Sequence, residues 1–207
     1  NIKILSVDGD PSLPSDYVIG RQTLAFKWTA DDVETLAEYI RYQYKIDNQQ
    51  WVKTPIQQVN TPFLADGQHT FSVRALDYDG ISSRIATFDF TVDTVQPSVL
   101  IDKPVPNQMV GGELAIRGSI LDDDLSQFQL EYRPLSSDRF QPIASGDQPQ
   151  TSSILANWKT QSLPDGAYQI RVVAIDQLEH SKEHQVDITL DNTPPVVSLK
   201  TPAAGQE

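Results

Sequence analysis

Apolar and polar residues alternate with a period of two along most of the chain, the pattern of strands with one buried face. Ile2, Ile4 and Val7 mark a first strand, followed by the turn-rich run Asp8 to Pro14, and Leu24, Phe26 and Trp28 share one face of a second. Ile40, Tyr42, Tyr44 and Ile46 alternate with Arg41, Gln43 and Lys45. After a short strand at Trp51 and Val52, the turn Asp66-Gly67 leads into the most regular segment, with His69, Phe71, Val73 and Ala75 predicted inward and Ser72 and Arg74 outward. Ile85 to Val92 reads as the last strand of this set. Only Val33, Leu36 and Ala37 break the period, as one face of a short helical turn.

The regular segment occurs twice. Leu64 to Asp77 is matched by Leu163 to Asp176 at a constant offset of 99 (165 minus 66, 176 minus 77), a domain length rather than a solenoid repeat. In the second copy Val99 and Ile101 open the module, Gly111-Gly112 marks a turn, and Leu114, Ile116 and Ile120 form a strand with Gly118 where module one has Trp28. Phe128, Leu130 and Tyr132 answer Ile40, Tyr42 and Tyr44 at an offset of 88 (132 minus 44). Phe140 answers Trp51, and the later jump to 99 predicts a mobile inserted loop of about ten residues near Ser145 to Ser153. Asp191 to Leu199 repeats Asp93 to Ile101 at an offset of 98 (191 minus 93), the expected start of a third module in a longer protein.

The expected architecture is all-β: two tandem immunoglobulin-like antiparallel β-sandwiches of about seven strands each, over 1–95 and 96–193, with 194–207 a linker and the start of a truncated third. A small barrel is the competing all-β solution.

Composition narrows the function classes. The 207 residues are 39% hydrophobic and 21% charged, as in folded globular chains. A net charge of −12 opposes nucleic acid and favours divalent cations. The absence of cysteine removes disulfides, thiolate nucleophiles and sulfur-ligated zinc. No apolar run of about 18 residues predicts a membrane span. No phosphate-binding glycine loop and no Gly-x-Ser-x-Gly elbow occurs, so the chain is expected not to be an enzyme.

The sequence Leu163-x-Asp165-Gly166-x-Tyr168-x-Ile170-Arg171-Val172-x-Ala174-x-Asp176, with Asp191-Asn192-Thr193-Pro194-Pro195, resembles the bacterial immunoglobulin-like and fibronectin type III-like repeats of secreted and surface multidomain proteins. Module one also resembles the Tyr-rich sandwiches of some bacterial sensor ectodomains, through Tyr42-x-Tyr44 and Trp51. The resemblance implies a structural or adhesive spacer at the cell surface, extracellular or periplasmic, whose partners are neighbouring modules. The alternative is an accessory region that binds a glycan or protein beside an enzyme or sensor. It further implies that Tyr168 is a corner tyrosine, its ring in the core and its hydroxyl on nearby backbone; His69 holds that place in module one.

Candidate chemistry is acidic. The loops after the second and sixth strands of such a sandwich share one pole, so Asp122, Asp123, Asp124 and Asp176 are expected to meet Asp93 at the module junction as a Ca²⁺ site. Asp31, Asp32, Asp77 and Asp79 form the matching set in module one. Turn capping by Asp77 and Asp176, with the other acids solvated, is the competing reading. His180 and His184 read as a solvated hairpin loop, because four-residue spacing brings two ligands together on successive turns of a helix but leaves them about 13 Å apart along a strand. Tyr17, Tyr39, Tyr78, Trp51 and Trp158 are candidates for a sugar-stacking face, against a reading in which Trp51, Tyr42 and Tyr44 fill the core.

Overall fold

A computed structural model describes residues 1–14, 16–31 and 36–198. Chain contacts divide it into two units, Asn1–Val95 and Gln96–Glu207. Unit 1 contains β1 (Ile2–Val7), β2 (Tyr17–Ile19), β3 (Ala25–Ala30), β4 (Arg41–Ile46), β5 (Val52–Thr54), β6 (Gln58–Asn60), β7 (Gly67–Leu76) and β8 (Ala86–Val92). Unit 2 contains β9 (Ser98–Lys103), β10 (Gln108–Val110), β11 (Glu113–Leu121), β12 (Leu125–Pro134), β13 (Gln141–Gly146), β14 (Gln150–Lys159), β15 (Gly166–Asp176) and β16 (Ser181–Leu190).

Each unit is a two-sheet sandwich with the same strand order. In unit 1 a three-stranded sheet β1-β3-β6 faces a five-stranded sheet β2-β8-β7-β4-β5; in unit 2 these are β9-β11-β14 and β10-β16-β15-β12-β13. Separate sheets exclude the barrel. The pairings are antiparallel except for the three-residue strands β2 and β10, which run parallel to β8 and β16. Those two strands lie beyond the reach of periodicity, being too short to show one.

The alternation decides what each core holds. In unit 1 Phe26 stacks on Phe71 with ring centroids 3.9 Å apart, and Trp28, Tyr42 and Phe90 complete an aromatic core. Unit 2 has a more aliphatic core of Ile116, Ile120, Leu130, Ile170 and Val172, and its tryptophan, Trp158, arrives on β14 against Tyr132. Gly118 has no room for a side chain, since a Cβ there would lie 2.1 Å from the carbonyl oxygen of Leu100.

Three expectations are corrected. The segment from Ser145 to Ser153 is not an inserted loop: β13 and β14 take all of it except 147–149. The extra length extends β14 to 10 residues against 3 in β6, and its hydrogen bonds are absorbed by pairing with β11. The helical turn is a single 3-10 turn at Ala37–Tyr39 whose neighbour Leu36 is exposed rather than buried, while Val33 lies outside the described residues. Trp51 is not a core residue. It covers the cations of the outer sheet face, 4.4 Å from the Arg74 guanidinium and 5.5 Å from the Lys45 ammonium. Gln43, Lys45 and Arg74 sit on that face because Tyr42, Tyr44 and Val73 take the inner positions.

Candidate functional site

Among the described residues, the β15–β16 turn in unit 2 gathers the densest group of acids. Carboxylate oxygens of Asp122, Asp124 and Asp176 lie within 4.8 Å of one another, the first two from the turn between β11 and β12 and the third from the end of β15. Asp123 is exposed and outside the group. Among the described residues the other predicted acids form no such group: Asp31 and Asp79 are exposed, Asp77 is half-buried, and Asp32 lies outside the described residues. Asp93, in unit 1, caps its own chain by accepting the Val95 amide at 3.0 Å.

The bonding of Asp176 shows what this group does within the fold. Its carboxylate is almost wholly buried, with Oδ1 accepting the amides of Leu178 and His180 at 2.8 Å each and Oδ2 lying 2.8 Å from Nδ1 of His180. Asp122 accepts the Asp124 amide at 3.0 Å, and the Asp124 carbonyl accepts the Gln177 amide. A carboxylate offers about four lone-pair sites, so Asp176 has about one left for a cation. Ca²⁺ takes 6–8 oxygens, so any ion here would rely on Asp122, Asp124 and solvent for most of its shell.

The same turn bond occurs in unit 1. Asp77 Oδ1 accepts the Ile81 amide at 2.7 Å, and both partners stand 99 positions before Asp176 and His180 (176 minus 77, 180 minus 81). His180 and His184 are engaged rather than solvated, a correction to the loop reading. His180 faces Asp176, and His184, on β16, accepts the Ile101 amide through Nδ1 at 3.2 Å.

A second repeated clamp went unrecognised in the sequence. Asp66, at the turn before β7, accepts the backbone amide and hydroxyl of Thr94 at 2.9 and 2.8 Å. Asp165, its equivalent before β15, accepts the Asn192 amide at 2.7 Å through Oδ1 and the Thr193 hydroxyl through Oδ2. The signal was present as an Asp-to-Thr spacing of 28 in both copies (94 minus 66, 193 minus 165). Hydrogen bonds from Thr193 and Asn192, in that order of weight, hold the Asp165 carboxyl below its ordinary value of 3.8.

The corner is also made twice. Tyr168 is buried and donates its hydroxyl to the Pro164 carbonyl at 3.0 Å; burial, then the nearby Tyr132 and Asp165, push its phenol above the ordinary value. His69 Nε2 lies 2.8 Å from the Ala65 carbonyl, the equivalent oxygen, so the departure at this position preserves the bond.

Of the aromatic candidates, Trp158 is buried in the unit 2 core and Trp51 is half-buried over Arg74 and Lys45. Tyr17 borders on exposed at 36%, with no ring contact to the other candidates among the described residues. Tyr39 and Tyr78 come together as an exposed edge-to-face pair with centroids 6.0 Å apart. Among the described residues no helix is long and apolar enough to cross a membrane.

No protein-family model and no curated protein matches the chain. Solved structures similar to it include the fibronectin(III)-like modules of CbhA from Clostridium thermocellum, at 16% identity and a TM-score of 0.41, over 92% of this chain and 94% of that one. Three N-terminal domains of the outer capsid protein Hoc of bacteriophage RB49 match at 11% identity and a TM-score of 0.47, over 93% of this chain and 70% of that one. A tetra-tandem repeat from the extending region of a large adhesion protein matches at 15% identity and a TM-score of 0.38, over 92% and 48% of the two chains. Its own strand order, repeated in full, makes the chain a tandem pair of immunoglobulin-like two-sheet β-sandwiches.

Proposed function

We propose that the chain is a non-catalytic spacer in a secreted or surface protein, its two modules holding other domains apart and serving adhesion through that geometry. The observation that supports this reading is the repeated Asp-to-Thr clamp, which fixes the exit strand of a module to its own turn. With Thr94 held by Asp66 and Val95 by Asp93, only Gln96 and Pro97 separate the last clamped residue from β9. Few free backbone dihedrals, one of them fixed in proline, limit bending. Neighbouring modules of the same protein are the partners in this reading. Ca²⁺ belongs to it as a ligand of Asp122, Asp124 and Asp176 that would tie the β11–β12 turn to the end of β15. Melting with Ca²⁺ and with a chelator checks the ion: a higher transition for unit 2 with Ca²⁺ is expected, and coincident curves remove the ion from the account.

The exposed pair Tyr39 and Tyr78 favours a second reading, an accessory face for a glycan or protein, because aromatic rings left in water stack on sugar rings and apolar side chains. A glycan array separates the two. The spacer gives no saturable signal, whereas a signal lost in Tyr78→Ala moves the assignment to the accessory region.

A further inference from the structure

We propose that His69 is a pH-sensitive strut of unit 1, a doubly protonated imidazolium that ties the β4–β5 turn to the loop before β7 and releases one of them on losing a proton. Its two ring nitrogens face two oxygens: Nδ1 lies 2.8 Å from Oδ2 of Asp47, and Nε2 lies 2.8 Å from the carbonyl of Ala65. A carbonyl and a carboxylate both accept, while a neutral imidazole has a single N–H to give. Either neutral tautomer would therefore set a nitrogen lone pair against an oxygen lone pair. Only the imidazolium donates to both.

The surroundings keep that charge in place. Asp47 is itself fixed, its Oδ1 accepting the Thr70 amide at 2.8 Å, so its other oxygen cannot turn away without breaking a bond to β7. On β8 the Phe90 ring lies 5.6 Å from the imidazole and covers it without offering a competing acceptor. The remaining charged groups around the adjoining cleft of about 690 Å³ are Asp16, Asp89 and Lys45. Asp89 is engaged by the Thr70 hydroxyl at 2.6 Å, and the two extra carboxylates outnumber the one ammonium. Burial by itself would lower the basicity of His69, but the Ala65 bond and then Asp47 outweigh it and raise the value above the ordinary 6.5.

The sign follows from linkage. The folded unit holds the proton more tightly than the unfolded chain, so this contribution is present in full below 6.5 and is lost as pH rises through the raised value of His69. Unit 2 has the same corner built with Tyr168, whose hydroxyl stays a neutral donor up to about pH 10 and beyond. The chain thus carries one pH-dependent corner and one that keeps its donor over the same range. This holds whether or not the two units serve as a spacer.

A nitrogen-15 titration of the whole chain, reading both ring nitrogens of His69, tests it directly. Both nitrogens are expected to be protonated at about pH 6, with a midpoint above that of a free imidazole. Between about pH 6 and about pH 9 the melting of unit 1, followed on the amides of Phe71 and Val73, should fall by a few degrees, and His69→Tyr should flatten that fall. A nitrogen without its proton at about pH 6, or an unchanged slope in folded His69→Tyr, would overturn the proposal. If that variant does not fold, the wild-type titration decides alone.

Discussion

Asp176 and Asp77 hold the same turn in two copies, and their environments set how much each is worth. Asp176 is buried and serves two amides and a histidine, so Asp176→Ala should take the acceptor from the half-buried Leu178 and His180 amides and cost unit 2 about 2–3 kcal/mol. Asp77→Ala, at a half-buried turn with one amide, should cost about 1 kcal/mol in unit 1. Chemical denaturation followed by unit-specific amides measures both, and equal losses would contradict the difference in burial. Asp165 makes a pH prediction of its own. Its folded value is depressed by Thr193 and Asn192, so its clamp is intact above 3.8 and is lost as pH falls through the lowered value. The amide resonances of Asn192 and Thr193 should report that titration below 3.8, and a midpoint above it would contradict the clamp.

Among the elements, β7 and β15 show how much is readable from a sequence. Their inward residues Phe71, Val73, Ile170 and Val172 are fully buried, because a period of two in a half-buried strand leaves no other face for the core. The turn acids Asp66 and Asp165 were legible as turns but not as clamps, since their partners lie 28 residues away and no local pattern joins them. Trp51 misled because a large apolar side chain was assigned to the core, whereas two cations on the outer face give its ring a place there. The segment from Ser145 to Ser153 misled in the opposite way. Its Ser, Thr and Gly composition suits a loop, but an edge strand tolerates polar residues once a neighbour such as β11 supplies the hydrogen bonds. Gly118, by contrast, is fixed by the close approach of β9. Gly118→Ala should force the Leu100 carbonyl aside and cost unit 2 about 2–3 kcal/mol, read as a lower denaturation midpoint with the slope unchanged.

Over the whole molecule, sequence patterning made the tandem sandwich legible, and the repeated strand order realises it in each unit. The candidate site was legible only in part. Chain topology led to the expectation that Asp93, Asp122, Asp123, Asp124 and Asp176 would share one pole; Asp122, Asp124 and Asp176 do lie together, but nothing in the pattern announced that Asp176 would already be bonded three times by its own turn. What the repeats share is a set of bonds that fix turns, corners and exit strands, which is what the proposed spacer role requires. The most direct test is nitrogen-15 relaxation along residues 93–97, where the clamps leave Gln96 as the only unclamped amide. Order parameters of about 0.85 at Thr94 and Val95, equal to those of β8, are the predicted result, falling toward 0.6 in Asp66→Ala. Values below about 0.6 in the unaltered chain would show a freely jointed connection and contradict the spacer account.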